Sequence, residues 1–452
     1  MKIVIVGCGK VGKTILERIV SEKHEVVAVD NDMHVIERIT NEYDVIGLCG
    51  NGTEFEQLKD AGVASCELFI AATGSDELNM LSCFAAKKLG AKHTVARIRD
   101  RANNTSSLAI MKESLELSMA INPEQLSAKA IYNILRLPSA SKVESFGMHS
   151  FEMFEITLKD IDENGMSIAD LRRSAKSKFL VCAVERGGDV YIPKGNFVLN
   201  SGDKVGVISY EADTRKILDA LGENSKKVRK VIIMGASTIG YYLASILCKN
   251  GYEVKVIEKD ASKCEKFLEE MNGNVTVIEG DGMSQELLLE EGINDTDAFV
   301  ALTGNDEANI LMSVYTKNEE VSKIVTKVNK EQLISIAHGL NLDCIITPRK
   351  IIADKIVRYA RALQNSMGSK IEALYTLMNG KAEAVEFVVS DDFKYAGIAL
   401  KDLKMKSDVL IAGIIRQKQA IIPDGNEMIM PHDRVVIISS QTKIYDLLDI
   451  IG

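Results

Sequence analysis

The residues with the makings of chemistry stand at the start of the chain: Gly7, Gly9 and Gly12, spaced G-x-G-x-x-G within IVIVGCGKVG at residues 3–12. Each glycine has a separate task. Gly7 permits a tight turn, Gly9 lets the backbone approach a phosphate, and Gly12 lets a helix pack close to a sheet. A helix opening at this point offers unpaired N–H groups and the positive end of its dipole to an anion. Asp30 closes the run VVAVD, 18 residues past Gly12, where a carboxylate can accept both hydroxyls of a ribose. A 2′-phosphate is disfavoured there, because two anions would face each other. These residues point to the capture of an adenine nucleotide, and capture by itself performs no reaction.

Two cations are candidates to complete the phosphate site. Lys10 lies inside the glycine loop, either as a counter-charge to a phosphate chain or as a solvated loop lysine. Arg97 stands in VARIRD near the end of the fifth strand, at the carboxyl edge where ligands of open α/β sheets lie. The stretch GNGT, residues 50–53, forms either a wall beside the adenine or the N-cap of a helix over 54–61. Ser75 and Asn305 read as helix N-caps. Asp76, Glu77 and Asn79 recur as Asp306, Glu307 and Asn309, either bordering the same sheet edge or serving the helix starts. The candidate contacts of the first site are the loop residues Gly7, Cys8, Gly9, Lys10, Val11 and Gly12, then Asp30, Asn51, Gly52 and Thr53, and finally Thr73, Gly74 and Arg97.

The same set appears a second time. VIIMGASTIG at 231–240 matches the opening stretch 228 residues on, VKVIE ending at Glu258 matches VVAVD, GDGM at 280–283 matches GNGT, and LTGNDEANIL at 302–311 matches ATGSDELNML at 72–81. Four of the six prolines also pair, Pro123 with Pro348 and Pro193 with Pro423, which makes the chain a tandem duplication. The second site comprises Gly235, Ala236, Ser237 and Gly240, then Glu258, Asp281, Gly282, Thr303 and Lys327. It departs from the first. Ser237 replaces the middle glycine, Thr238 stands where Lys10 stood and Lys327 where Arg97 stood. A Cβ at Ser237 would crowd a pyrophosphate, although Glu258 keeps the ribose-binding logic, so the second site is weaker, altered or empty.

The elements that must hold these residues follow from the pattern. Runs at 3–6, 25–30, 44–48, 68–73, 93–98 and 118–122 read as strands, and 11–23 and 76–89 as helices between them. Strands alternating with helices of this length give a parallel sheet covered on both faces. Pro123 sits where the first turn of a helix running through Leu135 accepts it. After LPSASK the pattern changes to strands at 151–158, 179–185 and 203–208, a turn at IPKGN (192–196), and helices near 168–173 and 211–221, a small α+β module. The expected fold class is therefore α/β: two tandem Rossmann-like, doubly wound parallel-sheet domains, each followed by a small α+β module. The boundaries are 1–137, 143–225, 229–365 and 370–452, with Lys226 to Lys230 linking the halves.

Composition sets bounds on function. With 452 residues the chain exceeds one ordinary core, and at roughly 100–200 residues per domain it holds three or four. Lys and Arg number 55 against 64 Asp and Glu, a net charge of −9, which argues against a polyanion-binding surface and sets nucleic acid aside. Eight cysteines carry no paired spacing and suit reduced thiols in a cytosol rather than disulfides or a zinc knuckle. No window approaches the ~18 apolar residues of a membrane-crossing helix, and Met1 leads straight into a strand rather than a signal peptide, so the chain reads as soluble and intracellular. A dehydrogenase would add an acid–base group beside the nicotinamide, and none is visible. His149 and His432 occupy unlike positions in the two modules, and His24, His34, His93 and His338 share no carboxylate arrangement between halves. There is also no P-loop and no Cys/His metal set. The nucleotide reads as sensed rather than consumed.

The order GCGKVG, VVAVD, GNGT, ATGSDELNML, VARIRD, a proline-initiated helix and a small α+β module, given twice, closely resembles the TrkA family, the cytosolic regulatory (RCK/KTN) subunits of Trk-type potassium uptake systems. The resemblance covers the whole chain. It implies two units, each an RCK-N (KTN) nucleotide domain with an RCK-C module, and ligand-binding roles for Gly7, Gly9, Lys10, Gly12, Asp30 and Arg97. It further implies a homo-oligomer, a tetrameric ring, that is cytoplasmic and peripheral to the inner face of the cell membrane. The ring would lie beneath a membrane potassium-translocating subunit of the Trk type and change shape on binding NAD(H) or an adenine nucleotide, ATP or ADP. The rival reading is an NAD-dependent oxidoreductase.

Overall fold

The computed structural model describes residues 1–99, 114–146, 151–159, 161, 165–222, 227–271, 273–364, 370–417, 419–441 and 444–452. His149 and the linker residue Lys226 lie outside them. The described chain divides into two compact units, one of Met1–Ser127 with Thr347–Ala360, the other of Ala128–Ile346 with Arg361–Gly452.

In the first unit six parallel strands form one sheet: β1 (Lys2–Val6), β2 (Glu25–Asp30), β3 (Ile46–Cys49), β4 (Leu68–Ala71), β5 (His93–Arg97) and β6 (Met119–Ile121), in the order β3-β2-β1-β4-β5-β6. Ile3, Val4 and Ile5 are wholly buried, as continuous apolar runs are when helices cover both faces of a sheet. Helix α1 (Lys10–Ser21) buries Gly12, Ile15, Leu16 and Ile19 on one face. The other helices are α2 (Met33–Glu42), α3 (Phe55–Asp60) and α4 (Asp76–Leu89). The chain leaves β1 for β2 on one side and returns to β4 on the other, so the loops after β1 and β4 part above a crevice, where open α/β sheets bind ligands. The expected strand at 44–48 is displaced to Ile46–Cys49 because its register is set by pairing, Val27 with Ile46 and Asp30 with Cys49.

Helix α5 (Pro123–Arg136) opens on its proline and continues into the second unit. There the repeat builds β14 (Lys230–Met234), α8 (Thr238–Lys249), β15 (Glu253–Glu258), β16 (Thr276–Glu279), β17 (Ala298–Ala301), α11 (Asp306–Asn318), β18 (Lys323–Lys327) and β19 (Ile345–Ile346), with the corresponding strand order β16-β15-β14-β17-β18-β19. Helix α13 (Pro348–Gln364) opens on the matching proline. Its residues Asp354 and Tyr359 pack in the first unit: Asp354 pairs with Arg18 at 2.8 Å, and the Tyr359 hydroxyl hydrogen-bonds His93 Nδ1 at 3.2 Å. The repeat reads continuously through this helix, so the exchange is invisible in the sequence.

The small modules are antiparallel five-stranded sheets. Strand β8 (Phe151–Thr157) is buried from Phe151 to Ile156, including Glu152 and Glu155, because both its faces are covered. Phe154 and Ile156 join the core of their own module, whereas Phe151 and Met153 join Leu377, Ala384 and Val436 of the other module in a shared core. The buried carboxylates are compensated. Glu152 is ion-paired with Arg136, and Glu155 with Lys204 at 2.7 Å while accepting the N–H of Met378 at 2.9 Å. Among the described residues no helix is long and apolar enough to cross a membrane.

Candidate nucleotide-binding site

The glycine loop follows β1. Gly7 has φ +83°, a left-handed conformation that favours glycine, and a Cβ on it would lie 2.6 Å from the Thr73 nitrogen. A Cβ on Gly12 would lie 1.9 Å from the Gly7 carbonyl oxygen, so both glycines are required by the protein itself. Gly9 is different. Its φ of −63° suits any residue, and a Cβ there would meet no protein atom within 4 Å. That open space borders the N-terminus of α1, whose N-cap Gly9 supplies no side-chain acceptor. The residues present therefore fit a phosphate: bare backbone, a helix start without a side-chain cap, and room above it.

Asp30 ends β2 beside this loop. Its Oδ2 accepts the Cys8 N–H at 2.6 Å and its Oδ1 the Asp32 N–H at 3.0 Å, which fixes a half-buried carboxylate at the crevice. Cys8 contributes backbone only: its thiol is wholly buried, and burial, with the Asp30 charge second, pushes its pKa up to about 12. Lys10 is not within the loop as expected but is the first residue of α1, with its side chain exposed. Val11 follows it, half-buried.

After β3, Asn51 Oδ1 accepts both the N–H and the hydroxyl of Thr53, at 3.1 and 2.9 Å, a turn closed on itself. Thr53 is therefore not the N-cap of the following helix; Glu54 holds that position, without a side-chain hydrogen bond. Gly52 answers to packing, since a Cβ on it would lie 2.1 Å from Val6 Cγ1.

Across the crevice, Ser75 caps α4 by accepting from the Leu78 N–H at 3.2 Å, and Asn305 caps α11 likewise at 2.9 Å, both as expected. Asp76 and Asn79 do not cap. Fully buried Asn79 accepts the Thr73 N–H at 2.8 Å and donates to the Arg97 carbonyl at 2.8 Å, clamping the loop after β4 to the end of β5. Asp76 accepts the Arg99 N–H at 2.6 Å. Arg97 Nη1 lies 3.5 Å from the Thr73 carbonyl oxygen, and Nη2 lies 3.7 Å from Glu124 Oε1. Burial pushes the Arg97 guanidinium below its ordinary pKa, against the charge of Glu124. Gly74 borders open space. Sequence reasoning missed Glu124. Its signal was its place directly after Pro123, at the carboxyl edge of the sheet.

The second cradle repeats these backbone devices and departs from the first in its side chains. Gly235 has φ +104°, and a Cβ on Gly240 would lie 2.9 Å from the Gly235 carbonyl oxygen. Glu258 Oε2 accepts the Ala236 N–H at 2.9 Å. Asp281 closes its turn on the Met283 N–H at 3.0 Å, and Gly282 packs on Met234. Asn309 links Thr303 to the Lys327 carbonyl, which it bonds at 3.0 Å. Ser237, however, accepts the Gly240 N–H at 3.2 Å and so caps α8 with its own hydroxyl. The start of this helix is thus occupied by a hydroxyl, in addition to the Cβ expected there. Buried Lys327 turns its Nζ toward the Leu302 carbonyl at 3.3 Å.

The TrkA-N domain family matches residues 3–123 and 231–348, and the TrkA-C domain family residues 161–222 and 384–452. The chain is 31% identical over 451 residues, all of both chains, to the Trk system potassium uptake protein TrkA homolog of Archaeoglobus fulgidus. It is 29% identical to the Trk system potassium uptake protein TrkA of Halomonas elongata over 99% of this chain and 96% of that one. In fold it is similar to the GsuK channel bound to NAD, with TM-score 0.62 and 15% identity over 97% of this chain and 77% of that one. The GsuK RCK domain matches with TM-score 0.62 and 14% identity over 97% and 92%. The duplicated cradle, the paired modules and the full-length match together assign the chain to the TrkA family of Trk system potassium uptake proteins.

Proposed function

We propose that this protein is a nucleotide-sensing regulatory subunit that gates potassium flux through a Trk-type membrane partner, with NAD(H) or ADP/ATP as ligand. The observation that carries the reading is the helix start at Gly9, which lacks a side-chain cap and borders open space, flanked by the Asp30 carboxylate and the Arg97 guanidinium. In this reading the phosphates lie over Gly9 and the first turn of α1, Asp30 holds the ribose hydroxyls, and Lys10 and Arg97 meet the phosphate chain. The nucleotide supplies anionic charge and adenosine contacts. The protein's groups bind and orient it. Sensing rather than turnover is supported by the way Asp30, Thr73 and Asn79 are engaged in backbone hydrogen bonds, which leaves them to position rather than to shuttle protons. The four domains 1–137, 143–225, 229–365 and 370–452, a tetrameric ring at the inner face of the membrane, and non-enzymatic action belong to the same proposal.

A regulator must bind its ligand differently in two conformations, since equal affinity for both shifts nothing. Lys10 and Arg97 come from different elements, so a ligand bridging them favours one arrangement over another. The test is potassium flux in liposomes holding the transporter, with and without this chain, under ATP, ADP, NAD and NADH in turn. Flux is expected to depend on the nucleotide, and Lys10→Ala or Arg97→Ala to reduce that dependence in a folded, assembled protein. Equal flux under all four overturns the regulatory reading.

A further inference from the structure

Helix α13 belongs to the first unit through Ala360 and to the second from Arg361 onward. In the first unit it touches both elements that frame the phosphate position. Asp354 is ion-paired with Arg18 of α1, the helix whose start Gly9 leaves open, and Tyr359 hydrogen-bonds His93, which begins β5, the strand that ends in Arg97. The first residue past the division is gripped. The Arg361 side chain is 2% exposed, and its Nη1 and Nη2 donate to the two carboxylate oxygens of Glu383 at 2.9 and 3.3 Å, a bidentate geometry. Its guanidinium lies 5.7 Å from the ring centre of Tyr445. Glu383 is the second residue of the strand Ala382–Val388 in the second small module. The other repeat ends its helix the same way: Arg136 stands thirteen residues past Pro123, as Arg361 does past Pro348. It is ion-paired with Glu152, the second residue of β8, and with Glu211 at 3.0 Å. Buried ion pairs stabilise poorly compared with apolar packing, so their recurrence at the same junction in both halves asks for a reason beyond stability. A continuous helix supplies one, because it carries a displacement along its length and a firmly held end passes it on.

Resting on the nucleotide reading above, we propose that α13 is an output of the first cradle, and that Arg361 is the positioning residue through which a nucleotide bound there acts on the second small module. A phosphate held between the start of α1 and Arg97 at the end of β5 biases both elements at once. Arg18 and His93 pass that bias to Asp354 and Tyr359, and Arg361 delivers it to Glu383. Chain order alone joins the first cradle to the first module, through α5. The placing of α13 in the first unit adds the second module, more than two hundred residues further along the chain. In the competing account the Arg361–Glu383 pair only fastens the helix end to its module and is indifferent to the ligand.

The experiment is amide hydrogen exchange of the full chain with and without saturating ADP, read at the glycine loop and at the strand Ala382–Val388. Two double variants accompany the wild type. Arg361→Met/Glu383→Leu removes the clasp without stranding a buried charge, and Asp354→Asn/Tyr359→Phe severs both contacts of α13 in the first unit while leaving the clasp intact. In wild type, ADP is expected to protect the loop and to change exchange of the strand by at least ~5-fold. In both double variants the change at the strand should fall below about twofold with the loop still protected. A pair that only fastens the fold raises exchange of the strand equally with and without ADP, so an ADP-induced ratio that survives in either variant overturns the proposal. If the clasp variant does not fold, the Asp354→Asn/Tyr359→Phe variant decides by the same criterion. A wild-type strand unmoved by ADP while the loop is protected overturns this proposal alone, whereas a loop that ADP does not protect overturns the nucleotide reading and this proposal with it.

Discussion

The two cradles share their backbone devices and differ at the helix N-cap, Gly9 in the first and Ser237 in the second. Gly9 and Ser237 have nearly the same conformation, φ −63° and ψ −164° against φ −78° and ψ 166°, so neither position needs glycine for its backbone. Gly7 and Gly12, and likewise Gly235 and Gly240, do answer to the protein's own geometry. The middle glycine of G-x-G-x-x-G is therefore the one residue of the three whose lack of a side chain the protein's own packing does not require. A serine there folds equally well and satisfies the helix N-terminus from within, leaving less for an anion to bind.

The largest effect should come from testing that division. Gly12→Ala places a methyl 1.9 Å from the Gly7 carbonyl oxygen, and Gly7→Ala combines φ +83° with a 2.6 Å approach to Thr73. Each should destabilise the first unit by ~3 kcal/mol or more, read as a lowered first transition in thermal unfolding. Gly9→Ala, with nothing within 4 Å, should leave that transition nearly in place. If all three fall together, the loop's glycines share one structural task and the comparison fails.

Next in size is conversion of the first cradle into the second. Gly9→Ser should bring a hydroxyl to the Gly12 N–H, as Ser237 does to Gly240, and weaken nucleotide binding by about 2 kcal/mol, or roughly thirtyfold, with stability unchanged or slightly raised. Titration and thermal unfolding of the same variant check both halves of this statement. An unaltered affinity would mean that the phosphate does not use this helix start.

Asp30→Ala should come third, with a loss of at least ~1.4 kcal/mol, a tenfold change, because a charged acceptor of two hydroxyls is removed. Its counterpart Glu258→Ala should leave the tighter site untouched. Equal losses from the two variants would show that the cradles bind alike.

What the sequence made legible, and what it hid, divides by the reach of the interaction. Ser75 and Asn305 cap as read, and Pro123 and Pro348 open their helices, because those choices are settled within one turn of chain. The parallel sheets follow from periodicity. Glu152 and Glu155 stand three residues apart, on opposite faces of their strand, and both are buried, since their partners Arg136, Lys204 and the Met378 N–H come from other elements. The packing of Asp354 and Tyr359 in the first unit has the same long-range origin. At the site, residue type placed Asn79 at the correct edge but could not give its direction, inward to Thr73 and the Arg97 carbonyl rather than along the helix. Thr53 failed as a cap because Asn51, two residues earlier, takes both its N–H and its hydroxyl.

The smallest effect is the most discriminating, because Ser237 brings two changes to the second cradle, a Cβ and a capping hydroxyl, and one pair of substitutions separates them. Ser237→Gly removes both the Cβ and the hydroxyl that accepts the Gly240 N–H. Glycine is itself an acceptable N-cap, so the stability cost should be only a few tenths of a kcal/mol. Ser237→Ala removes the hydroxyl and keeps the Cβ, at a stability cost of ~1 kcal/mol. If the helix start is closed by its cap, both variants should raise nucleotide occupancy at the second site. If crowding by the Cβ dominates, only the glycine variant should. The gain should be modest in either case, a few-fold, because Lys327 remains directed at the Leu302 carbonyl and does not stand in for the first site's guanidinium. Binding measured on a Gly9→Ser background, where the first cradle is weakened roughly thirtyfold, brings the second site into view. No gain from either variant would place the cause in Lys327 and Thr238 instead of the serine.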